Sequence, residues 1–133
     1  MARNPTWIAV VALALSDGEG RLLLQQRPAD KHHGGLWEFP GGKVDSGEIP
    51  RFALAREIAE ELGLRVDPTD LRPSLVADAG GDPAIVLFLY TASSWHGEPV
   101  GLEGQAWGWF TAAEAAALPL APMDRDLIAR LEL

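Results

Sequence analysis

The chain has 133 residues, 47% hydrophobic and 23% charged, which is ordinary for a globular protein and long enough for one domain with a substantial core. It contains no cysteine, which excludes disulfides, thiolate metal sites and cysteine nucleophiles and fits a cytoplasmic location. The formal net charge of −8 argues against binding a nucleic-acid polymer, and it would repel a polyphosphate substrate unless metal ions neutralised the phosphates.

The first predicted element is the apolar run Trp7–Leu15, which reads as a buried strand. A turn at residues 17–20 follows, and Arg21–Arg27 is predicted to be the return strand that pairs with the first. The same apolar run could pass for a weak signal peptide, but such a leader would be shorter than the usual length of about 15–30 residues. The run is also far too short to span a bilayer, so no membrane partner is expected.

A helix is predicted in the middle of the chain. Three segments are predicted before it: a polar, Gly-containing loop from Pro28 to Gly35, a short extended piece at residues 36–39 and a bend at residues 40–42. The helix begins at Pro50 or Arg51 and ends at Leu62, because apolar residues recur there with helical period. The predicted apolar stripe consists of Leu54, Ala55, Ile58, Ala59 and Leu62.

Three glutamates share one side of this helix. Glu57, Glu60 and Glu61 stand at i, i+3 and i+4, within an arc of roughly 100° that borders the apolar stripe at the edge of the core. Like charges at these spacings destabilise an isolated helix by roughly 0.2–0.5 kcal/mol per pair. A hard cation bound among the carboxylates would turn this repulsion into a net attraction, since Mg²⁺ takes carboxylate and phosphate oxygens as ligands. A solvated acidic face is the alternative for such a cluster taken alone.

The second half of the chain mixes strands with helices. Strands are predicted at residues 71–79 and 84–93 around a turn, a long loop at 94–105, and a short strand at 106–110. Thr111 and Glu114 have capping-box spacing and predict a helix that stops by Pro119. A last helix is predicted over Pro122–Leu131. Because strands and helices do not alternate strictly, the pattern favours an α+β layered fold.

Residues 42–64 fit a longer pattern, Gly-x5-Glu-x7-Arg-Glu-U-x-Glu-Glu-x-Gly-U with U aliphatic, at every specified position. In this the chain resembles the Nudix hydrolases. Residues 27–43, residues 97–105 and the C-terminal PLAPMDRDLIARL further resemble the MutT branch, the sanitisers of oxidised nucleoside triphosphates. The resemblance implies the Nudix α/β/α sandwich around a mixed sheet, with the box helix and the C-terminal helices, as a single domain over residues 1–133. It also implies cleavage of a nucleoside diphosphate linked to another moiety.

The resemblance also assigns roles within the signature. Glu57, Glu60 and Glu61 would bind Mg²⁺, for which Mn²⁺ can substitute. One of Glu61, Glu60 or Glu103, a glutamate of the long loop, would orient or deprotonate the attacking water; the alternative for a loop glutamate such as Glu103 is solvated surface.

The remaining signature positions have structural roles by resemblance. Arg56 would pair with Glu48 and hold the loop against the helix, Gly42 would let the loop backbone turn, and Gly63 would close the signature.

Four residues that are not specified positions of the signature are candidates for substrate binding, two of them, Arg27 and Asp124, by resemblance. Arg27 and Lys43 would contact phosphates, although a structural ion pair is an alternative for Arg27. Phe39 would contact the base, or else pack in the core. Asp124 aligns with an Asn with which MutT reads oxidised guanine. An ionised Asp only accepts hydrogen bonds, which would suit the exocyclic amine of cytosine, and a branch acting on cytidine and oxidised pyrimidine triphosphates has a similar pattern. A helix N-cap is the alternative for Asp124.

The predicted activity is Mg²⁺-dependent hydrolysis of a nucleoside triphosphate, such as 8-oxo-dGTP, to the monophosphate and pyrophosphate, by a monomer or homodimer. CTP or an oxidised pyrimidine triphosphate is the alternative substrate. ADP-ribose and dinucleoside polyphosphates are further alternative substrates. They are disfavoured, because the marker Pro or Tyr of the family branches that cleave them is absent from residues 79–81. A non-catalytic nucleotide-binding module is a further alternative, disfavoured because such modules usually lose the metal carboxylates.

Overall fold

The computed structural model of the protein describes residues 6–131. In chain order, the elements in that range are β1 (Trp7–Leu15), β2 (Leu22–Gln26), β3 (Trp37–Glu38), β4 (Gly41–Lys43), α1 (Pro50–Leu62), a 3-10 turn (Pro68–Asp70), β5 (Arg72–Ala79), β6 (Ala84–Ala92), β7 (Trp107–Phe110), α2 (Ala112–Ala117) and α3 (Pro122–Arg130). The predicted strands and the helices α1 and α3 agree with these bounds within one residue at each end. The segment at residues 40–42, predicted as a bend into the signature loop, overlaps the short strand β4.

The strands form two sheets. A mixed sheet has the order β4-β1-β6-β5, in which β1 and β6 run parallel and the other neighbours antiparallel. A smaller antiparallel sheet has the order β3-β2-β7. The predicted pairing of β1 with β2 is therefore wrong, since the two strands meet only at a bridge between Ser16 and Leu22 and then diverge. A strand has two edges, and both edges of β1 are occupied by β4 and β6.

The core lies on both faces of the four-stranded sheet. β1 is buried along its second half, and its side chains alternate between the two faces. Val11, Leu13 and Leu15 pack with α1, whereas Ala12 and Ala14 face the side that carries α3. Helices thus cover both faces, which confirms the α+β class and the α/β/α sandwich around a mixed sheet.

Helix α1 presents a face to the core that is rotated from the predicted stripe. The leucines and the isoleucine of the stripe are buried as predicted, but Ala59 is exposed. Ala53 and Glu61 complete the buried face instead. The rotation brings the glutamate side of the helix toward the sheet, so Glu61 lies within the core rather than at its edge.

Both ends of α1 are defined by local chemistry. Pro50 occupies the first turn, where a missing N–H costs no intrahelical bond, and Gly63 ends the helix in the left-handed conformation with φ of 70°. The loop 94–105 then covers the helix end, because the N–H groups of Val100 and Leu102 donate to the carbonyls of Leu62 and Glu61 at 2.9 and 3.0 Å. This contact places the Glu103 loop beside the glutamates of α1.

The helix α2 begins with the predicted capping box. Thr111 Oγ1 accepts the N–H of Glu114 at 3.1 Å, and the Glu114 carboxylate accepts the N–H of Thr111 at 2.9 Å. None of the helices described is both long and apolar enough to cross a membrane.

Candidate active site

Glu61 is the most deeply placed carboxylate of α1, with 9% of its surface exposed. Its Oε1 accepts the backbone N–H of Gly41 at 2.9 Å, and its Oε2 accepts Nε2 of Gln25 at 3.1 Å. Burial raises the pKa of the Glu61 carboxyl to about 8 despite these two bonds, and the negative charges of Glu38 and Glu57 add to the effect. An ionised Glu61 is therefore unfavourable at neutral pH unless a cation lies beside it.

Glu57 occupies space that only a glycine leaves free. A Cβ at Gly42 would lie 2.5 Å from the Glu57 Cδ and 2.5 Å from its Oε2. Gly42 does not turn the loop backbone as expected, because it lies within β4 opposite Val11, and its missing side chain makes room for the carboxylate. Burial is the largest cause that raises the pKa of Glu57, while its contact with Arg56 lowers it.

Arg56 links the loop before α1 to the glutamates of the helix. Its Nε and Nη2 donate to the two carboxylate oxygens of Glu48 at 2.7 and 2.9 Å, so the predicted ion pair forms. Its Nη1 donates to Glu57 at 3.1 Å and to the more exposed Glu60 at 3.2 Å. The hydrogen bonds from Arg56 are the main reason that the pKa of Glu48 falls to about 2.

The donor set fits a divalent cation, although no three acidic or histidine side chains in the described part of the chain are already gathered around one point. Glu61 faces Gln25 and Gly41, whereas Glu57 and Glu60 face Arg56. A single guanidinium nitrogen lies between the carboxylates of Glu57 and Glu60, which shows that the two groups can share one positive charge. The candidate metal ligands of Glu57, Glu60 and Glu61 are all carboxylate oxygens, the ligand type that hard cations such as Mg²⁺ prefer.

A cleft of about 290 Å³ opens beside Glu61. Its lining includes Arg27, Glu38, Glu103 and Gln105. Glu103 is exposed at this cleft, and its negative charge contributes to the raised pKa of Glu57. The fold thus brings together the α1 glutamates and the loop glutamate that the sequence separates by more than one secondary-structure element.

The two predicted phosphate-binding cations lie in different environments. Arg27 lines the cleft, where its Nη1 contacts Glu38 at 3.0 Å and its Nε donates to the carbonyl of His32 at 2.6 Å. The structural ion pair weighed for Arg27 therefore exists, on a side chain that still faces the cleft. Lys43 is exposed at the end of β4 and is not among the residues that line the cleft.

Phe39 and Asp124 are both buried, at 3% and 4% exposure. The Phe39 ring packs in the core on the α3 side, and the Phe39 N–H donates to Asp124 Oδ1 at 2.9 Å. The N-cap interpretation of Asp124 is wrong, because Ala121 is the N-cap and Asp124 is the third residue of α3. Burial raises the pKa of Asp124 to about 7, and the charge of Glu38 adds to the effect.

Sequence reasoning missed two glutamines and one glutamate of the site. Gln25 is only 3% exposed, and its strand partner in β3 is Glu38. Gln105 contacts both Gln25 and the carbonyl of Glu61. The sequence could have predicted the burial of Gln25. In the strand Leu22–Gln26 it stands two residues after Leu23, so its side chain points to the same buried face of the strand as that leucine.

Comparison with known proteins places this site in a family. The model of the NUDIX domain matches residues 5–131. The CTP pyrophosphohydrolase of Escherichia coli (strain K12) is 40% identical over 91% of this chain and 88% of its own. The 8-oxo-dGTP diphosphatase of Escherichia coli (strain K12) is 34% identical over 84% of this chain and 85% of its own. The crystal structure of a MutT NUDIX hydrolase from Burkholderia pseudomallei superposes with a TM-score of 0.83 at 28% identity, covering 96% of this chain and 99% of that one. The chain therefore belongs to the NUDIX family and is a hydrolase of the MutT type.

Proposed function

We propose that this Nudix hydrolase, which acts on phosphoanhydride bonds, converts a nucleoside triphosphate to the monophosphate and pyrophosphate in the presence of Mg²⁺, with oxidised nucleotides such as 8-oxo-dGTP as its substrates. The observation that carries the proposal is the buried Glu61, which lies beside Glu57 and faces the same cleft as Arg27 and Glu103. The names of the similar proteins, a CTP pyrophosphohydrolase and an 8-oxo-dGTP diphosphatase, support the same bond and substrate class.

The proposed metal ligands are Glu57, Glu60 and Glu61, and Mn²⁺ can take the same oxygen ligands as Mg²⁺. A divalent cation, when bound, would neutralise charge on the phosphate oxygens and lower the pKa of a water molecule. Arg56 would keep its bonds to Glu48 while releasing the carboxylates that it now neutralises. The net charge of −8 supports this metal requirement, because an acidic protein repels a free triphosphate.

Two of the other proposed roles, those of Arg27 and Glu103, follow from the cleft that both residues line. Arg27 would donate to phosphate oxygens with the part of its guanidinium not engaged by Glu38. Lys43, which is exposed beside the signature loop, would supply a more distant positive charge. Glu103 would orient or deprotonate the attacking water, since it is the exposed carboxylate at this cleft. Phe39 and Asp124, which are buried and are not among the residues that line the cleft, are the proposed contacts to the base.

Asp124 favours a second candidate, cleavage of CTP or an oxidised pyrimidine triphosphate. One of its carboxylate oxygens already accepts the N–H of Phe39. An ionised Asp124 could accept from the exocyclic amine of cytosine but would repel a carbonyl oxygen on the base. The 40% identity to a protein named CTP pyrophosphohydrolase supports the same candidate.

One assay tests the activity and separates the candidates. We expect kcat/KM to be highest for one nucleoside triphosphate in a panel of ordinary and oxidised NTPs and dNTPs, with pyrophosphate as the second product and with activity abolished by EDTA and restored by Mg²⁺. A preference for 8-oxo-dGTP over dGTP supports the first candidate, and a preference for CTP or an oxidised dCTP supports the second. Release of inorganic phosphate as the first product, or faster cleavage of ADP-ribose or dinucleoside polyphosphates, would contradict the proposal.

Replacing Asp124 by asparagine should alter base preference and raise stability above neutral pH. The Asn oxygen can still accept the Phe39 N–H, while its NH₂ can donate to a base carbonyl, so the ratio of kcat/KM for 8-oxo-dGTP to that for CTP should rise. The folded-state pKa of Asp124 is raised from 3.8 to about 7, so its ionisation destabilises the fold progressively as pH rises through this range. The Asn variant should therefore have the higher Tm at pH 8 and lose that advantage near pH 4. An unchanged ratio of the two kcat/KM values would remove Asp124 from the base site.

A further inference from the structure

Gln105, the last residue of the loop 94–105, binds three groups at once. Its Nε2 donates to the backbone carbonyl of Glu61 at 2.9 Å and to Oε1 of Gln25 at 3.1 Å. Its Oε1 accepts the backbone N–H of Glu103 at 3.0 Å. Both N–H bonds of the amide and its oxygen are thus engaged, so the orientation of the side chain is determined on both sides.

The hydrogen bond from Gln105 to Gln25 favours the orientation in which the Nε2 atom of Gln25 faces Glu61. Because Gln25 Oε1 accepts from Gln105, the Gln25 Nε2 must point the other way, and it donates to Glu61 Oε2 at 3.1 Å. Without Gln105 the Gln25 Oε1 loses its donor, and the bond from Gln25 Nε2 to Glu61 loses the contact that holds the amide from its other side. The Gln25 amide and the Glu61 carboxylate that it binds would then be less firmly positioned in a buried site.

The loop is shaped around this glutamine. A Cβ at Gly101 would lie 2.4 Å from the backbone oxygen of Gln105 and 3.3 Å from its Oε1, so Gly101 permits the close approach. The N–H of Gly104 donates to the carbonyl of Gly101 at 3.0 Å and closes the turn that carries Glu103. Together with the bonds from Val100 and Leu102 to the end of α1, these contacts fix the loop relative to Glu61.

We propose that Gln105 is a positioning residue for the hydrolysis: one amide fixes both the backbone of Glu103 and, through Gln25, the carboxylate of Glu61. This inference rests on the proposed function, which gives Glu61 and Glu103 their catalytic roles. Gln105 acts through these residues, so its loss should lower kcat far more than it changes KM.

The test compares two variants of Gln105 with a stability control. Gln105→Met keeps the length of the side chain and removes all three hydrogen bonds. Gln105→Glu keeps an acceptor for the Glu103 N–H and removes both donors. If the Met variant does not fold, the Glu variant alone tests the role of Gln105. Thr111→Ala removes the capping box of α2, which lies beyond the end of β7 and has no contact with Gln105 among the hydrogen bonds described, and should lower Tm by a few degrees without altering kcat.

Each Gln105 variant should lower kcat by between roughly tenfold and a hundredfold, the range expected when a reacting group is displaced, with KM changed by less than about twofold. The double variant Gln25→Met with Gln105→Met should lose less kcat than the product of the two single losses, because the two side chains share the chain of bonds to the Glu61 carboxylate. In metal-free and nucleotide-free protein, hydrogen exchange of the Val100 and Leu102 amides should speed up in the Gln105 variants and stay unchanged in Thr111→Ala.

The outcomes separate this inference from the proposed function. An active wild-type protein whose Gln105 variants keep wild-type kcat, or keep wild-type exchange at Val100 and Leu102, refutes the positioning role alone. A wild-type protein that hydrolyses no nucleoside triphosphate with Mg²⁺ refutes the proposed function and the role of Gln105 with it.

Discussion

Replacing Glu61 by glutamine should lower kcat by roughly three orders of magnitude, the loss that corresponds to several kcal/mol of transition-state stabilisation. The amide is neutral and a poor ligand for a hard cation, so the variant should also require far more Mg²⁺ for any residual activity. Steady-state kinetics over a Mg²⁺ titration measure both effects. Near-wild-type turnover at the same Mg²⁺ concentration would exclude Glu61 from the metal site.

The same substitution should stabilise the metal-free protein above neutral pH. The folded-state pKa of Glu61 is raised from 4.5 to about 8, so the carboxylate destabilises the fold increasingly as pH rises through this range. The lost hydrogen bond from Gln25 to the carboxylate costs about 1.5–3 kcal/mol. The destabilisation that the substitution removes is larger, because a raised pKa represents about 1.4 kcal/mol for each tenfold change in the acid dissociation constant. With EDTA present, the variant should have a higher Tm at pH 8 and no such advantage below pH 4.5.

Glu98→Gln is the matched control for Glu61→Gln, because Glu98 is an exposed glutamate of the loop 94–105. It should change neither kcat nor the Mg²⁺ requirement. A Glu61→Gln variant that is less stable than the wild type at pH 8 would mean that the carboxylate is not held in a penalised, buried state.

Replacing Gly42 by alanine should abolish most activity while leaving the protein folded. The three atoms nearest to the new Cβ all belong to the carboxylate of Glu57, the free end of a flexible side chain, which can move aside at small cost. That movement displaces a proposed metal ligand, so kcat/KM should fall by about a hundredfold and the Mg²⁺ requirement should rise. Combining Gly42→Ala with Glu57→Gln should add little to the loss caused by Glu57→Gln alone.

Gly41→Ala is the contrasting variant at the neighbouring position. There the Cβ would lie 1.9 Å from the backbone oxygen of Val11, at a φ of +156°, so the obstacle is the backbone of the central strand. We expect a loss of about 3 kcal/mol or more in the free energy of unfolding. Urea denaturation of both variants measures the difference, and a Gly42→Ala protein as unstable as Gly41→Ala would show that the activity loss reflects unfolding.

Local features of the fold could be predicted from the sequence. The bounds of α1 follow from Pro50 at its start and Gly63 at its end, and the start of α2 follows from the capping box of Thr111 and Glu114. These signals act over a few residues, so they do not depend on the rest of the chain. The fold itself also followed from the family signature, whose residues lie close together in sequence.

The features that could not be predicted depend on distant contacts. Whether β1 pairs with β2 is decided by β4 and β6, which occupy both edges of β1. The rotation of α1 that buries Glu61 and exposes Ala59 is set by packing against the sheet, which periodicity alone resolves only approximately. Gln25 and Gln105 are 80 residues apart, so no local pattern connects them. The reason for a glycine at position 42 lies in a side chain on the following helix.

Glu57, Glu60 and Glu61 are proposed to hold a divalent cation jointly against a phosphoanhydride bond. Crystals grown with Mn²⁺ and a non-hydrolysable nucleoside triphosphate analogue test it most directly, through the anomalous difference density of manganese. We expect density at bonding distance, about 2 Å, from carboxylate oxygens of these glutamates and from the phosphates, with Arg56 still bound to Glu48. Manganese density elsewhere, with the three carboxylates still facing Arg56, Gln25 and Gly41, would contradict it.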